Sequence, residues 1–293
     1  MRVLPVFERK ESIEKMKKRF LLSVILVVAV LSATPLATAA DSDPGSQPAG
    51  IPVYIDGEPA DFKVPAFILD KATYVSIREF TMAMGAESVS WNEGTATVTA
   101  PNLTLSAASG DIYLVANSRY LFVPSSCLLM SNNLMAPIRV LAKAFDATII
   151  WNPAQRAVYI EKGSGAIEPG SSFYNDDDVY WMSRIINAES RGEPLVGKIA
   201  VGGVIMNRIA SPSFPDTVYD VIFDKQYGIQ FTPAYSGAIY NAPSEECVIA
   251  AKIVLDGGNT AGDSLYFSSS SQSCWAARTR PFSMTIGNHS FYA

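Results

Sequence analysis

The stretch VYWMSRIINAESRGEPLVGKIAVGGVIMNRI, residues 179–209, decides how the C-terminal half of this chain is read. Val179, Met182, Ile185 and Ile186 recur at helical spacing. Asp176, Asp177 and Asp178 come just before them, where acids cap free N–H groups and suit the helix dipole. The pattern stops at the turn containing Gly192 and Pro194. Glu189 follows Ile185 by one helical turn, so it lies on or beside the buried face. A carboxylate placed there either finds a partner or has a raised pKa. Glu189 is therefore either a surface acid at a helix end or the proton donor of a site. Glu193 precedes Pro194 in the turn and is expected to be exposed.

Beyond the turn, Leu195 to Ile209 reads as a central buried helix despite its glycines, each costing about 1 kcal/mol relative to Ala. Its small residues would let another helix approach closely. SPSFPDTVYDVIFD (211–224) gives a turn and a short helix. SEECVIAAKIVLDGG (244–258) starts at Ser244 and stops at Gly257-Gly258. SLYFSS (264–269) reads as a strand.

The whole chain has 293 residues, 48% of them apolar and 17% charged, enough for two folded domains. Met16-Lys17-Lys18-Arg19, an uncharged apolar run from Phe20 to Ala33, and Ala37-Thr38-Ala39-Ala40 form the three parts of a secretory signal peptide over residues 1–40. Met16 reads as its true start. The apolar run is short for a membrane span, although an uncleaved signal would act as an anchor. Residues 1–40 hold 7 of the 23 basic and 3 of the 28 acidic residues, so the remainder carries a net charge of −9. An exported chain of that charge argues against nucleic acid as a partner. Attraction to an anionic cell wall would have to be local. There is a single histidine and no CxxC or HExxH spacing, so no metal site and no cofactor is expected. Cys247 and Cys274 either pair after export or remain small free thiols.

Residues 41–50 and 163–175 read as linkers, and between them residues 51–162 repeat internally. YVSIREFTMAMGAESVSWNEGTATVTA (74–100) aligns with MAPIRVLAKAFDATIIWNPAQRAVYIE (135–161). Ile77-Arg78 falls on Ile138-Arg139, and Trp91-Asn92 on Trp151-Asn152. Each copy reads as a helix, a strand ending at Trp, a tight turn and another strand. Trp91 and Trp151 are expected to pack at strand ends rather than stack on a ligand. This repeat resembles the copper-amine-oxidase N-terminal-like domain of exported bacterial surface proteins. The name need not imply copper, because the region has no histidine and Cys127 as its only cysteine. The region is read as a binding or spacer module, making contact with the wall or with an accessory protein.

In order, AESRGEP, AVGGVIMNRI, FPDTVYDVIF, QF, AAKIVLDG, a Trp-Ala-Ala-Arg segment and IGNHSFY run through residues 176–293. Together they resemble the catalytic domain of the spore-cortex-lytic enzyme and cell-wall hydrolase family. The resemblance implies an α+β chain of two domains, an internal-repeat domain followed by a mainly helical lysozyme-like catalytic domain. It implies cleavage of peptidoglycan glycan strands in the cell wall or spore cortex, with Glu189 as the catalytic residue. Gln230, Phe231, Tyr266, Trp275, Arg278, Asn288 and His289 are the candidates for substrate contact. For some members the resemblance implies lytic transglycosylation, in which the sugar's own C6 hydroxyl replaces water. Hydrolysis would need a second carboxylate, and Asp220 and Asp224 are the nearest acids after the central helix. SSSSQS (268–273) departs from the family pattern, standing where an Asn-Pro type turn is expected. The competing reading is a non-catalytic wall-binding protein. A wall amidase or peptidase finds no Cys–His pair, zinc motif or Ser elbow to support it.

Overall fold

Two-residue turns with both residues at positive φ set the strand pairing of the first half. Asp70-Lys71, Asn117-Ser118 and Ser131-Asn132 all adopt φ between 47° and 67°, the backbone that matches the twist of a tight hairpin. The computed structural model describes residues 50–226, 228–270 and 274–293. The signal-peptide reading and nearly all of the first linker lie outside them.

The first half begins with β1 (Val53–Ile55), β2 (Glu58–Pro59), β3 (Phe67–Leu69), β4 (Ala72–Ser76) and α1 (Ile77–Ala83). Ser76 caps α1 by accepting from the Glu79 N–H. A meander follows: β5 (Ser88–Asn92), β6 (Thr95–Ala100), β7 (Leu103–Ala108), β8 (Tyr113–Ala116) and β9 (Arg119–Phe122). Then come β10 (Leu128–Met130), β11 (Asn133–Pro137), α2 (Ile138–Ala144), β12 (Thr148–Asn152) and β13 (Ala157–Glu161). Strand–helix–hairpin thus occurs twice, as β4–α1–β5–β6 and as β11–α2–β12–β13. β4 pairs antiparallel with β11, with Val75 opposite Ala136, and β1 closes the domain by pairing parallel to β13. Alternate residues of β6 and β7 are buried, as a half-covered sheet requires. Phe80 of α1 and Phe145, just after α2, meet edge to face at 6.3 Å inside the core.

Residues 163–175, read as a linker, are packed. Ile167 belongs to the first core, and the Gly170 N–H donates to the Asn117 carbonyl at 2.8 Å. A short helix, α3 (Gly170–Phe173), ends this segment.

The second half is built on α4 (Asp176–Ser190), α5 (Leu195–Ala210), α6 (Val218–Phe223), α7 (Thr232–Ser236) and α8 (Glu245–Leu255). Asn175 caps α4 by accepting from the Asp177 and Asp178 N–H groups. Met182, Ile185 and Ile186 of α4 meet Val201 and Ile205 of α5 and Val254 of α8 in one core. A Cβ on Gly202 would come within 2.9 Å of Val254 and 3.0 Å of Ile186, so glycine there lets the three helices close on one another. β14 (Tyr266–Ser269), α9 (Trp275–Thr279), β15 (Phe282–Ile286) and β16 (His289–Tyr292) follow, with strand order β14-β16-β15. Phe291 of this sheet packs with Ala200 and Val204 of α5.

The two cores are joined. Tyr113, Tyr120 and Phe122 of the β8–β9 hairpin pack against the helical core. Arg119 makes two bonds to the Asp256 carboxylate, of 2.7 and 3.0 Å. Lys143 reaches the same carboxylate at 2.5 Å. The Arg119 guanidinium also lies 3.3 Å over the Phe173 ring. Among the described residues no helix is long and apolar enough to cross a membrane. The protein is a two-domain chain of mixed α and β structure.

Candidate active site

Glu189 occupies the last turn of α4, one turn beyond the fully buried Ile185. Its carboxyl is half-buried, and burial alone lifts its pKa from 4.5 to about 7. Asn187, two residues earlier, holds this turn in place. Its Oδ1 accepts from the Ser244 N–H at 3.3 Å and lies 3.7 Å from the Cys247 thiol, at the start of α8.

Glu193 corrects the sequence reading, because it is only 8% exposed. Its carboxylate accepts from the Asn288 N–H at 2.9 Å and from the Asn288 side-chain amide at 3.0 Å. The Asn288 N–H and amide hold this carboxyl below the usual carboxylate range. The turn after Glu189 is thus buckled to the β15–β16 turn, 95 residues away in sequence. Lys198 adds a 2.5 Å bond to the Glu193 carbonyl and another of 2.5 Å to Glu246. Gly287 sits inside the buckle at φ +56°, and a Cβ there would fall 1.8 Å from Glu193 Oε2. Gly287→Ala is expected to cost about 2 kcal/mol or more, read by urea unfolding. An unchanged midpoint would contradict the buckle.

Asn288 is therefore engaged by Glu193. His289 lies beside it, edge-on to Phe267 at 5.4 Å. Burial lowers the His289 pKa, against the pull of Glu193, and its buried Nδ1 has no partner among the described residues. These two residues shape the turn around Glu193.

Three of the other candidates come together. Gln230, Tyr266 and Trp275 line a cleft of about 570 Å³ with Phe214, Asp224 and Arg280. The Trp275 ring is 52% exposed and meets Tyr266 edge to face at 5.5 Å. Glu189 is not among the lining residues of this cleft. Phe231 corrects its assignment: at 2% exposure it packs in the core and offers no face to a ligand. Arg278 is exposed and does not line the cleft, whereas Arg280 does, with its guanidinium 5.0 Å from the Tyr266 ring and 5.1 Å from the Trp275 ring. Asp220 is committed to the α6 cap, where it accepts from the Thr217 hydroxyl at 2.7 Å. Asp224 faces the cleft. Cys247 and Cys274 are both free. Cys247 lies in the core, and Cys274 caps α9 by accepting from the Ala277 N–H.

Arg208, which sequence reasoning missed, stands behind the cleft at 4% exposure. Its Nε donates to the Leu265 carbonyl at 2.8 Å. Its guanidinium lies 4.9, 5.2 and 5.4 Å from the Phe214, Phe231 and Tyr266 rings. Burial lowers its pKa to about 10. The signal was present in the sequence: Val201, Val204, Ile205 and Arg208 form one helical stripe, and a charge on an apolar stripe marks a built environment.

Comparison with known proteins places these features. Residues 192–292 match the family described as Cell Wall Hydrolase, starting three residues after Glu189, and residues 54–160 match the Copper amine oxidase N-terminal domain. A spore cortex-lytic enzyme of Bacillus cereus is 38% identical over 122 residues, covering 40% of this chain and 45% of that protein. The spore cortex-lytic enzyme of Bacillus subtilis is 32% identical over 122 residues, covering 40% and 38%. The chain spans less than half the length of these curated relatives. The catalytic domain of the germination-specific lytic transglycosylase SleB from Bacillus anthracis is 35% identical, covering 43% of this chain and 100% of that one, with a TM-score of 0.38. The name of the first domain suggests a metal that its residues do not fit: residues 54–160 contain no histidine, and burial pushes the Cys127 thiol up to about 12. Residues 192–292 thus carry a cell wall hydrolase domain, and residues 54–160 a copper amine oxidase N-terminal domain.

Proposed function

We propose that this protein cleaves the glycan strands of peptidoglycan, with Glu189 as the acid and then the base. The observation that carries the proposal is the half-buried Glu189 carboxyl with its pKa near 7. A glycosidic oxygen leaves poorly unless it is protonated, and a carboxylic acid still holding its proton near neutral pH can supply one. Burial keeps that proton in place, and the Asn187 and Glu193 bonds fix the turn that carries it.

Once the leaving sugar has taken the proton, the Glu189 carboxylate is a base of matched strength. It accepts the proton of the C6 hydroxyl as that oxygen attacks the anomeric carbon. The C–O bond to the leaving sugar breaks, a 1,6-anhydro ring forms, and no water is consumed. One carboxyl suffices for this route, whereas hydrolysis asks for two. Asp220 is committed to a helix cap, and Asp224 lines a cleft whose lining does not include Glu189, which together favour the single-acid route.

The spore cortex-lytic relatives support peptidoglycan as the substrate. The close packing of α4, α5 and α8 is compatible with a lysozyme-like catalytic domain, and residues 51–162 with a duplicated accessory domain. Such a substrate requires export, which agrees with the signal-like residues 1–40. Tyr266, Trp275 and Gln230 would line the path of the strand.

The pH–rate profile tests the role of Glu189. Activity is expected to be flat below pH 7 and to fall about tenfold per unit well above it, as the acid loses its proton. A rate that rises through pH 7 to 9 would contradict Glu189 as proton donor.

A further inference from the structure

The repeat region carries two hollows that the proposed chemistry does not use. The first, of about 330 Å³, is lined by Ile77, Arg78, Val89 and Trp91 of the first copy. The second, of about 430 Å³, is lined by Ile138, Arg139, Ile149 and Trp151 of the second copy. These are equivalent positions. Each hollow is completed by the other copy's hairpin: Leu129 and Asn132 face the first, and Ile68 and Lys71 face the second. Val75 opposite Ala136, Ser76 opposite Met135 and Tyr74 opposite Pro137 make a register that maps onto itself when the copies are exchanged. The two hollows are therefore related by a local two-fold axis through the β4–β11 pair.

Their side chains are presented to solvent rather than packed. Trp91 is 48% and Trp151 is 36% exposed, which corrects the expectation that they pack at strand ends. Arg78 and Arg139 are exposed beside them. Neither takes part in an ion pair among the described residues. An open indole next to an uncommitted guanidinium, built twice, is a recognition pair rather than a core feature.

We propose that these hollows are two equivalent binding sites for an anionic glycopolymer of the cell wall. The indole face takes the apolar C–H face of a sugar ring. The guanidinium takes a carboxylate or phosphate oxygen pair. Local cations of this kind are what residues 41–293, of net charge −9, need to approach an anionic wall. A directional strand cannot run in the same sense through both members of a two-fold pair. The sites therefore hold two separate strands, and the wall network supplies both, so that retention is bivalent. The choice of a wall polymer rests on the proposed substrate; the geometry of the paired sites does not.

The test uses the full chain carrying Glu189→Gln, so that digestion does not enter, sedimented with purified insoluble wall. Trp91→Ala or Trp151→Ala is expected to weaken retention about tenfold, and the pair about 100-fold. Arg78→Ala with Arg139→Ala should weaken it similarly and reduce its salt dependence. With Glu189 restored, the Trp variants should melt as the parent does and cut short soluble glycan fragments at the parent rate. Retention that survives removal of phosphate-bearing polymers assigns the anion as a carboxylate, and retention lost on removal assigns it as phosphate; both support the sites. A double Trp variant that sediments like the parent overturns the proposal. So does release by free stem peptide but not by glycan fragments. Failure of the Glu189 reading would look different, as a wild-type chain that binds wall and does not cut it.

Discussion

Glu189→Gln is expected to lower the release of soluble fragments from peptidoglycan by about 10³-fold, the usual contribution of a general acid and base. The amide has nearly the same shape, so packing of the last turn of α4 survives while the transferable proton is lost. The same substitution should stabilise the fold. Folding raises this acid's pKa from 4.5 to about 7, so the folded chain holds the proton more tightly than the unfolded one. The resulting stability is fully present below pH 4.5, is lost as pH rises through 7, and then stays lost. Above pH 7 the wild type keeps a half-buried carboxylate, at a cost of about 2 kcal/mol after allowance for partial exposure. Thermal unfolding of both proteins at pH 5 and pH 8 measures this. The Gln variant should be the more stable at pH 8, with the gap much smaller at pH 5. Loss of activity together with loss of stability at pH 8 would mean that Glu189 is structural.

Asp256→Ala is expected to have the largest effect on the fold. The Asp256 carboxylate is buried and held by Arg119 and Lys143, both of the first domain. The Tyr174 hydroxyl lies 3.4 Å from the same carboxylate. Removing one partner of a buried pair leaves the Arg119 charge without compensation, which costs about 3–5 kcal/mol. Because the pair bridges two cores, the loss should also uncouple them. Calorimetry should then show one transition for the wild type and two for Asp256→Ala. A loss below about 1 kcal/mol with a single transition would show that the aromatic contact of the β8–β9 hairpin carries the interface alone.

What the sequence showed and what it hid follow from the range over which each feature is set. Helical spacing placed Glu189 beside the buried face because Ile185 lies one turn away, and both belong to one segment. The repeat was legible because Ile-Arg at the helix start and Trp-Asn at the strand end recur in both copies, although the turn that follows has two residues in the first and four in the second. Glu193 was misread because its partner, Asn288, comes from a distant hairpin, and no local pattern announces a bond across 95 residues. Residues 163–175 have a linker's composition, yet Ile167 is buried in the first core. Arg280 and Arg278 are two residues apart on a short helix and its exit, too short a stretch for periodicity to say which one turns to the cleft. Trp91 and Trp151 end their strands as expected, but exposure depends on what the other copy places opposite them, which strand alternation does not encode.

Mass spectrometry of the fragments released from intact peptidoglycan by residues 41–293 tests the central claim most directly. The account predicts glycan fragments with 1,6-anhydro ends, one water lighter than reducing ends, and about 10³-fold fewer of them from Glu189→Gln. Reducing ends would contradict the single-acid route and point to Asp224, which faces the cleft. Free peptides in place of glycan fragments would contradict glycan cleavage itself.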